Sequence, residues 1–169
     1  MSHYLDIEGS NFMSDYKVIR HSSNVSQSSV GTSSWTDMTG SEISYIPSPG
    51  STYVIYEYSF HLGRSGSDND IYMGTNFSYS TDDGSSWNDY DNNTRVVIGS
   101  ISDKIRRRGP HIIKLCLDNW GNSERLLKMQ CKRYSNSYNF LLHQLTEHFS
   151  EGDDDTSYYR PIVSCYSIT

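Results

Sequence analysis

The chain of 169 residues contains no alanine and little leucine. With the strongest helix formers so scarce, a helical bundle is disfavoured. Long apolar runs are also missing: nothing approaches the ~18 residues that cross a bilayer as a helix. The opening MSHYLDIEGSNF has no basic segment leading into an apolar core. Synthesis in a cytoplasm and no membrane insertion are therefore expected. Basic residues are outnumbered, 14 Lys and Arg against 20 Asp and Glu, for a net charge of −6. That balance lacks the positive field of a general nucleic-acid binder, so no nucleic-acid partner is expected. Cysteine is limited to Cys116, Cys131 and Cys165, with no CxxC pair and an odd count. A complete disulfide framework is excluded, and reduced, apolar core positions are expected. Absent as well are HExxH, a GxSxG elbow, a Walker A loop and GxGxxG. His143 and His148, five apart, fall on opposite faces of a strand, which does not suit a zinc site. No catalytic residue, metal site or cofactor is predicted.

What is present favours strands. Tyrosine occurs 14 times and serine is abundant, and from Trp35 onward short alternating runs are separated by Gly, Pro, Asn, Asp and Ser clusters. The predicted strands lie at 42–46, 52–62, 71–79, 94–101, 111–117, 127–132, 138–149 and 161–168. The strongest, TYVIYEYSFHL at 52–62, puts Val54, Tyr56, Tyr58, Phe60 and Leu62 on a core face. Tyr53 and Ile55 make part of its other face apolar, to be covered either within the monomer or by a second copy. In 127–132, Leu127, Met129 and Cys131 form a buried face against the wet Lys128, Gln130 and Lys132. The run YNFLLHQLTEHF at 138–149 also fits a helical stripe through Leu141, Leu142, Leu145 and Phe149. Its β neighbours favour a strand.

Residues 1–34 are Ser-rich and weakly patterned, with one apolar patch at Tyr16, Val18 and Ile19. They are read as an extended N-terminal arm whose patch docks on a partner. Residues 35–169 are read as one domain; the fold class is all-β, an antiparallel two-sheet jelly-roll sandwich.

Within FSYSTDDGSSWNDY at 77–90, Ser80, Asp82, Gly84 and Trp87 are spaced as S-x-D-x-G-x-x-W. This resembles the Asp-box of sialidases and other β-propellers. A propeller needs at least about four blades of roughly 40 to 50 residues, which the chain cannot supply. The physical content is a hairpin turn: Gly84 supplies positive φ, Asp82 or Asp83 accepts backbone N–H groups, and Trp87 braces the next strand. Elsewhere Asp68, Asp70 and the run EGDDDTS at 151–157 place carboxylates in loops without the spacing of a Ca²⁺ loop.

The run from Val18 to Leu62, with Ser33 and Ser34, Trp35 to Asp37, Ile43 to Ile46, Pro47 to Gly50 and Tyr53 to Leu62 in that order, resembles the opening of jelly-roll domains in virion proteins of tailed phages. Fibre and capsid-decoration proteins of marine phages are the nearest in style. The closing YYRPIVSCYSIT resembles their last strand. Together these stretches cover about residues 16–62 and 138–169. The resemblance implies a tumour-necrosis-factor-like jelly roll, a homotrimer, no enzyme activity and no cofactor. It also implies a virion location, with other virion proteins as partners through the arm. Shafts and repeats of fibre members are missing, so a head seated directly on a capsid or tail is expected.

Three candidate surfaces follow. Tyr53 and Ile55 are candidates for the oligomer interface. Arg106, Arg107 and Arg108 are the centre of the one basic cluster, either a solvated loop or a dock for acidic surfaces. Trp87, Tyr90, Asn119 and Trp120 combine flat rings and amides as a glycan-binding surface does, so recognition of host surface glycan is the alternative function.

Overall fold

A computed structural model describes residues 6–7, 10–11, 14–22, 27, 30, 32–64, 71–90, 96–100, 110–133, 140–148 and 154–169. Among them no helix occurs. The strands are β1 (Asp6–Ile7), β2 (Ser10–Asn11), β3 (Ser14–Arg20), β4 (Thr36–Asp37), β5 (Ile43–Tyr45), β6 (Tyr53–Arg64), β7 (Ile71–Ser80) and β8 (Asn88–Asp89). They continue with β9 (Val96–Ser100), β10 (Pro110–Asp118), β11 (Arg125–Arg133), β12 (Phe140–Leu142), β13 (Gln144–His148), β14 (Asp154–Tyr158) and β15 (Ile162–Ile168). Each of the predicted runs contains a strand.

Two antiparallel sheets make a β-sandwich. Sheet one runs β10-β6-β15-β3, with β12 pairing the far end of β6. Sheet two runs β4-β11-β7-β8, with β5 also on β11 and β9 also on β7. Two small ladders, β1-β2 and β13-β14, stand beside them.

The core lies between the sheets. Alternation on β6 sends Val54, Tyr56, Tyr58, Phe60 and Leu62 inward, all buried, as the pattern predicts. Across from them sit Phe77 of β7 and Leu127, Met129 and Cys131 of β11; the Tyr56 and Phe77 rings are 4.9 Å apart. A core this rich in tyrosine must give each hydroxyl a partner. Tyr56 donates to the Ser41 carbonyl at 2.6 Å and Tyr58 to the Thr39 carbonyl at 2.8 Å. The Tyr45 hydroxyl pairs with Ser167 Oγ at 2.7 Å. Burial pushes the Tyr45 phenol up to about 12 and the Tyr56 and Tyr58 phenols well above their ordinary value, so all three stay neutral. The segment between β4 and β5 thus serves as a polar shelf for an aromatic core.

Three expectations need correction. Ser14–Arg20, assigned to an extended arm, is strand β3 at the edge of sheet one, paired with β15 from Arg20 opposite Ile162 to Ser14 opposite Ser167. Val30 is also buried in the core cluster. The alternation of Tyr16 and Val18 against Lys17 is enough to complete a sheet once β15 supplies the partner, even without a core of its own. Second, Cys131 and Cys165 are buried free thiols, but Cys116 is exposed. It occupies the outward phase of β10, opposite Ile55. Third, the 138–149 run is β as expected but is not one strand. His143 takes φ +67° and separates β12 from β13. Its N–H donates to the His61 carbonyl and its carbonyl accepts from Tyr159 N–H, both at 2.8 Å, so the break is fully paired along the backbone. The His143 ring is buried, with Nε2 3.3 Å from the Tyr58 hydroxyl and no partner for Nδ1 among the described residues.

Candidate functional site

The outer face of sheet one carries four of the six exposed large hydrophobics among the described residues. Because the even-numbered residues of β6 face the core, Tyr53, Ile55 and Glu57 point away from it. The register carries that orientation across the sheet: Ile112, Lys114 and Cys116 on β10, Ser164 and Tyr166 on β15, and Val18 on β3 share the outer side. Tyr16 joins them, its ring 5.8 Å from that of Tyr166. Ile112 is 68% exposed, Tyr16 54%, Val18 51% and Tyr53 44%. Ile55 is covered within the monomer, at 5%. The two alternatives for this strand's outer face therefore divide between adjacent residues: Ile55 is buried by its neighbours and Tyr53 is not.

At the centre of that face Lys114 Nζ lies 2.5 Å from Glu57 and donates to the Tyr166 hydroxyl at 3.0 Å. The Glu57 carboxylate first, then Tyr166, raise the Lys114 pKa. The knot is neutral and internally paired, so it imposes little net charge on the apolar residues around it. Ile19, expected to dock with Tyr16 and Val18, sits on the other side of β3, opposite the core residue Val163.

Sheet two presents a different outer face. Lys128, Gln130 and Lys132 on β11 stand beside Ser78, Asn76 and Gly74 on β7, with Asp37 on β4 and Asp89 on β8 flanking them. Gln130 Nε2 donates to Asp37 Oδ1 at 2.8 Å, Ser78 Oγ to Gln130 Oε1 at 3.0 Å and Asn76 Nδ2 to Asp89 Oδ1 at 2.7 Å. Lys128, expected to be wet, is only 6% exposed. Its ammonium pairs with Asp37 Oδ2 at 2.7 Å and lies 3.6 Å from the centre of the Trp87 ring. Trp87 comes from the turn after β7, where Ser80 Oγ accepts from the Gly84 N–H and Asp82 Oδ1 accepts from the Ser86 N–H, both at 2.9 Å. Asp83 (φ +56°) and Gly84 (φ +81°) make the bend. Hydrogen bonds from Ser86, then Ser80, lower the Asp82 pKa to about 2. The turn is built as the sequence predicts, but its tryptophan braces β11 rather than the next strand.

The four residues grouped as a glycan surface do not share one face. Tyr90 packs edge-on against Phe77 at 5.8 Å and accepts the Asp118 N–H at 2.9 Å. Trp120 packs against the core cluster, meets Tyr45 at 6.3 Å and donates to the Ser123 carbonyl at 2.9 Å. Arg125 lies between Trp120, at 5.0 Å, and Tyr79, at 4.5 Å. Asn119 Oδ1 accepts the Gly121 N–H at 2.6 Å. These three close one end of the sandwich, while Trp87 lies on the outer face of sheet two. Arg106, Arg107 and Arg108 lie outside the described residues, as does most of the acidic loop before β14.

Sequence reasoning missed Ile112, Tyr166, Trp35 and Asp37. Ile112 had a legible signal, an isoleucine on the polar phase of an alternating strand. Trp35 and Asp37 had none, because their value comes from the cross-strand register. A small groove at the edge, lined by Asp15, Lys17, Ser44, Tyr45, Ile46 and Glu124, holds two carboxylates. Each is engaged by a serine hydroxyl, Asp15 by Ser48 and Glu124 by Ser44. No protein-family model matches the chain, and no curated protein matches it in sequence.

Proposed function

We propose that the protein is a jelly-roll structural subunit of a tailed-phage virion that associates with copies of itself, as a trimer, through the outer face of sheet one. The observation that carries this reading is the set of exposed apolar residues Tyr16, Val18, Tyr53 and Ile112 on that one face, around a self-paired Lys114–Glu57 knot, with the buried Tyr166 packed against Tyr16. Exposed apolar surface of that kind is costly to leave in water, and homo-oligomer interfaces are where it is usually covered.

The jelly-roll winding is supported by nested pairing. With the short segments grouped as they share partners, the first long strand pairs the last (β3 with β15), the second pairs the seventh (β5 with β11), the third pairs the sixth (β6 with β10), and the fourth pairs the fifth (β7 with β9). A long antiparallel hairpin rolled into two sheets has this order. The virion location rests on the resemblance of residues 16–62 and 138–169 to phage jelly rolls. Attachment to other virion proteins is assigned to the segment ahead of β3, since β3 itself belongs to the sheet.

Multi-angle light scattering of the purified chain tests the assembly. A mass three times that of one chain is expected, and Ile112→Asp with Val18→Asp should return it to one without altering the far-UV spectrum. A monomer at high concentration overturns the assembly reading; absence of the protein from purified particles overturns the virion reading.

A further inference from the structure

The outer face of sheet two has the construction of a saccharide platform, and it lies on the opposite side of the sandwich from the proposed assembly face, so it does not depend on that reading. Two tryptophans mark its ends. Trp35 sits over Gly74, where the missing side chain leaves room: a Cβ there would stand 3.6 Å from the Trp35 ring. Lys132 Nζ lies 4.5 Å from the centre of the same ring. Trp87 rests on Lys128 in the same way at 3.6 Å. Lys128 is almost fully buried beneath it, so the accessible part of this half-buried indole is turned away from the sheet. Lys128 and Lys132 are four residues apart on one strand, about 13 Å between their Cα positions at ~3.3 Å per residue, and each carries one of the rings. Such a span suits a short chain of sugars better than one ring.

Between the rings runs the Gln130–Asp37–Ser78–Asp89 strip, whose amide, hydroxyl and carboxylate groups are held in place by one another. Asp37 remains half exposed, its two oxygens oriented by Gln130 and Lys128. Flat rings fixed at a spacing, with pre-oriented donors and acceptors between them, match the apolar ring faces and equatorial hydroxyls of a glycan. Charge complementarity selects which glycan. Lys128 is neutralised by Asp37, the face as a whole sets Lys128 and Lys132 against Asp37 and Asp89, and the whole chain is at −6. A polyanion is repelled and a neutral chain is not.

We infer that this face binds a neutral, linear oligosaccharide laid along β11 from Trp35 to Trp87. The test is isothermal titration of the full-length protein with neutral glucose- and N-acetylglucosamine-based oligomers of increasing length, with indole fluorescence read in parallel. Binding should tighten with length and then level off once both rings are covered, with a change in fluorescence. Trp35→Ala and Trp87→Ala should each weaken it at least tenfold with an unchanged far-UV spectrum, and Trp87→Phe, which keeps a ring, should restore part of the loss. If an alanine variant does not fold, Asp37→Asn and Gln130→Ala supply the comparison, with a several-fold loss expected. No binding of any neutral oligomer at millimolar concentration overturns the inference. So does binding indifferent to these substitutions, or binding confined to acidic polymers and lost with added salt.

Discussion

Acidification from pH 7 to pH 4 should weaken the fold, and His143 is where the weakness lies. Its ring is fully buried, and that burial pulls its pKa from 6.5 down to about 4, opposed in part by the Thr39 carbonyl and reinforced by His61 and His21. In the unfolded chain the same imidazole is in water at its ordinary value. Between the two values the unfolded chain binds a proton that the folded chain does not. The contribution is therefore constant above about pH 6.5, falls as the pH drops toward 4, and levels off below, where both states are protonated. The difference between 6.5 and about 4, at about 1.4 kcal/mol per pH unit, comes to about 3 kcal/mol. For a chain of this length that is roughly 10 °C in Tm. Of the groups facing the ring, the Tyr58 hydroxyl and the Thr39 carbonyl do not titrate in this window, while His61 and His21 act on it as like charges; Asp82, at about 2, acts below it. Urea denaturation at pH 7, 6, 5 and 4 should show the decline in the wild type. In His143→Asn, which tolerates the left-handed backbone, the profile should be less stable at pH 7 and nearly flat. A small slope from His111, whose pKa is also lowered by burial, should remain. Equal slopes in wild type and His143→Asn would show that the ring is not the acid-sensitive group.

Glycine substitutions should separate strain from collision. Gly84→Ala meets only ordinary contacts but must hold φ +81°, and should cost about 1 kcal/mol by urea denaturation. Gly84→Val should cost more, because β-branching adds to the same strain. Gly40→Ala also holds φ +79° and drives a Cβ to 2.6 Å from Pro161. A loss of about 3 kcal/mol is expected, and equal losses at the two sites would contradict the packing described. Tyr56→Phe leaves the buried Ser41 carbonyl without its 2.6 Å donor; it should cost about 1–2 kcal/mol, and an unchanged midpoint would count against that bond. One thiol in three, Cys116, should react with an aromatic disulfide reagent in the native protein. The other two are buried, with pKa values pushed up to about 12, and should react only in denaturant. A second fast-reacting thiol would place Cys131 or Cys165 outside the core.

The parts of the fold legible in the sequence are those with a local cause. Alternation placed β6, β10 and β11 and chose the core side of β6 and β11, and Asp83-Gly84 announced a turn that its φ values require. Segments 71–79 and 161–168 were legible for the same reason. β3 was not, because seven residues with two or three apolar positions become a strand only when β15 lies alongside, and pairing over that separation leaves no local trace. The break at His143 was hidden by a run that fits strand and helix equally. The faces were harder still. Tyr16 and Val18 were read as one patch and Tyr53 and Ile55 as another, and the register joins them into a single surface. Trp120 and Tyr90 were read as exposed rings, yet the hydrogen-bonded end of the sandwich claims both. Burial of an aromatic in a loop depends on what closes over it, which spacing does not encode.

The position of β6 also sets a timetable. The most apolar strand of the chain is flanked by β10 on one side and β15 on the other, with Tyr53 opposite both Asp118 and Ile168. During synthesis it emerges well before either neighbour, and β15 follows every other strand of the two sheets. Through that interval a long ribbon with two unpaired edges is available to any other nascent chain. Slow folding dominated by late, long-range pairing follows. Yield should therefore rise at low temperature or low expression rate, where each chain is finished before it meets another.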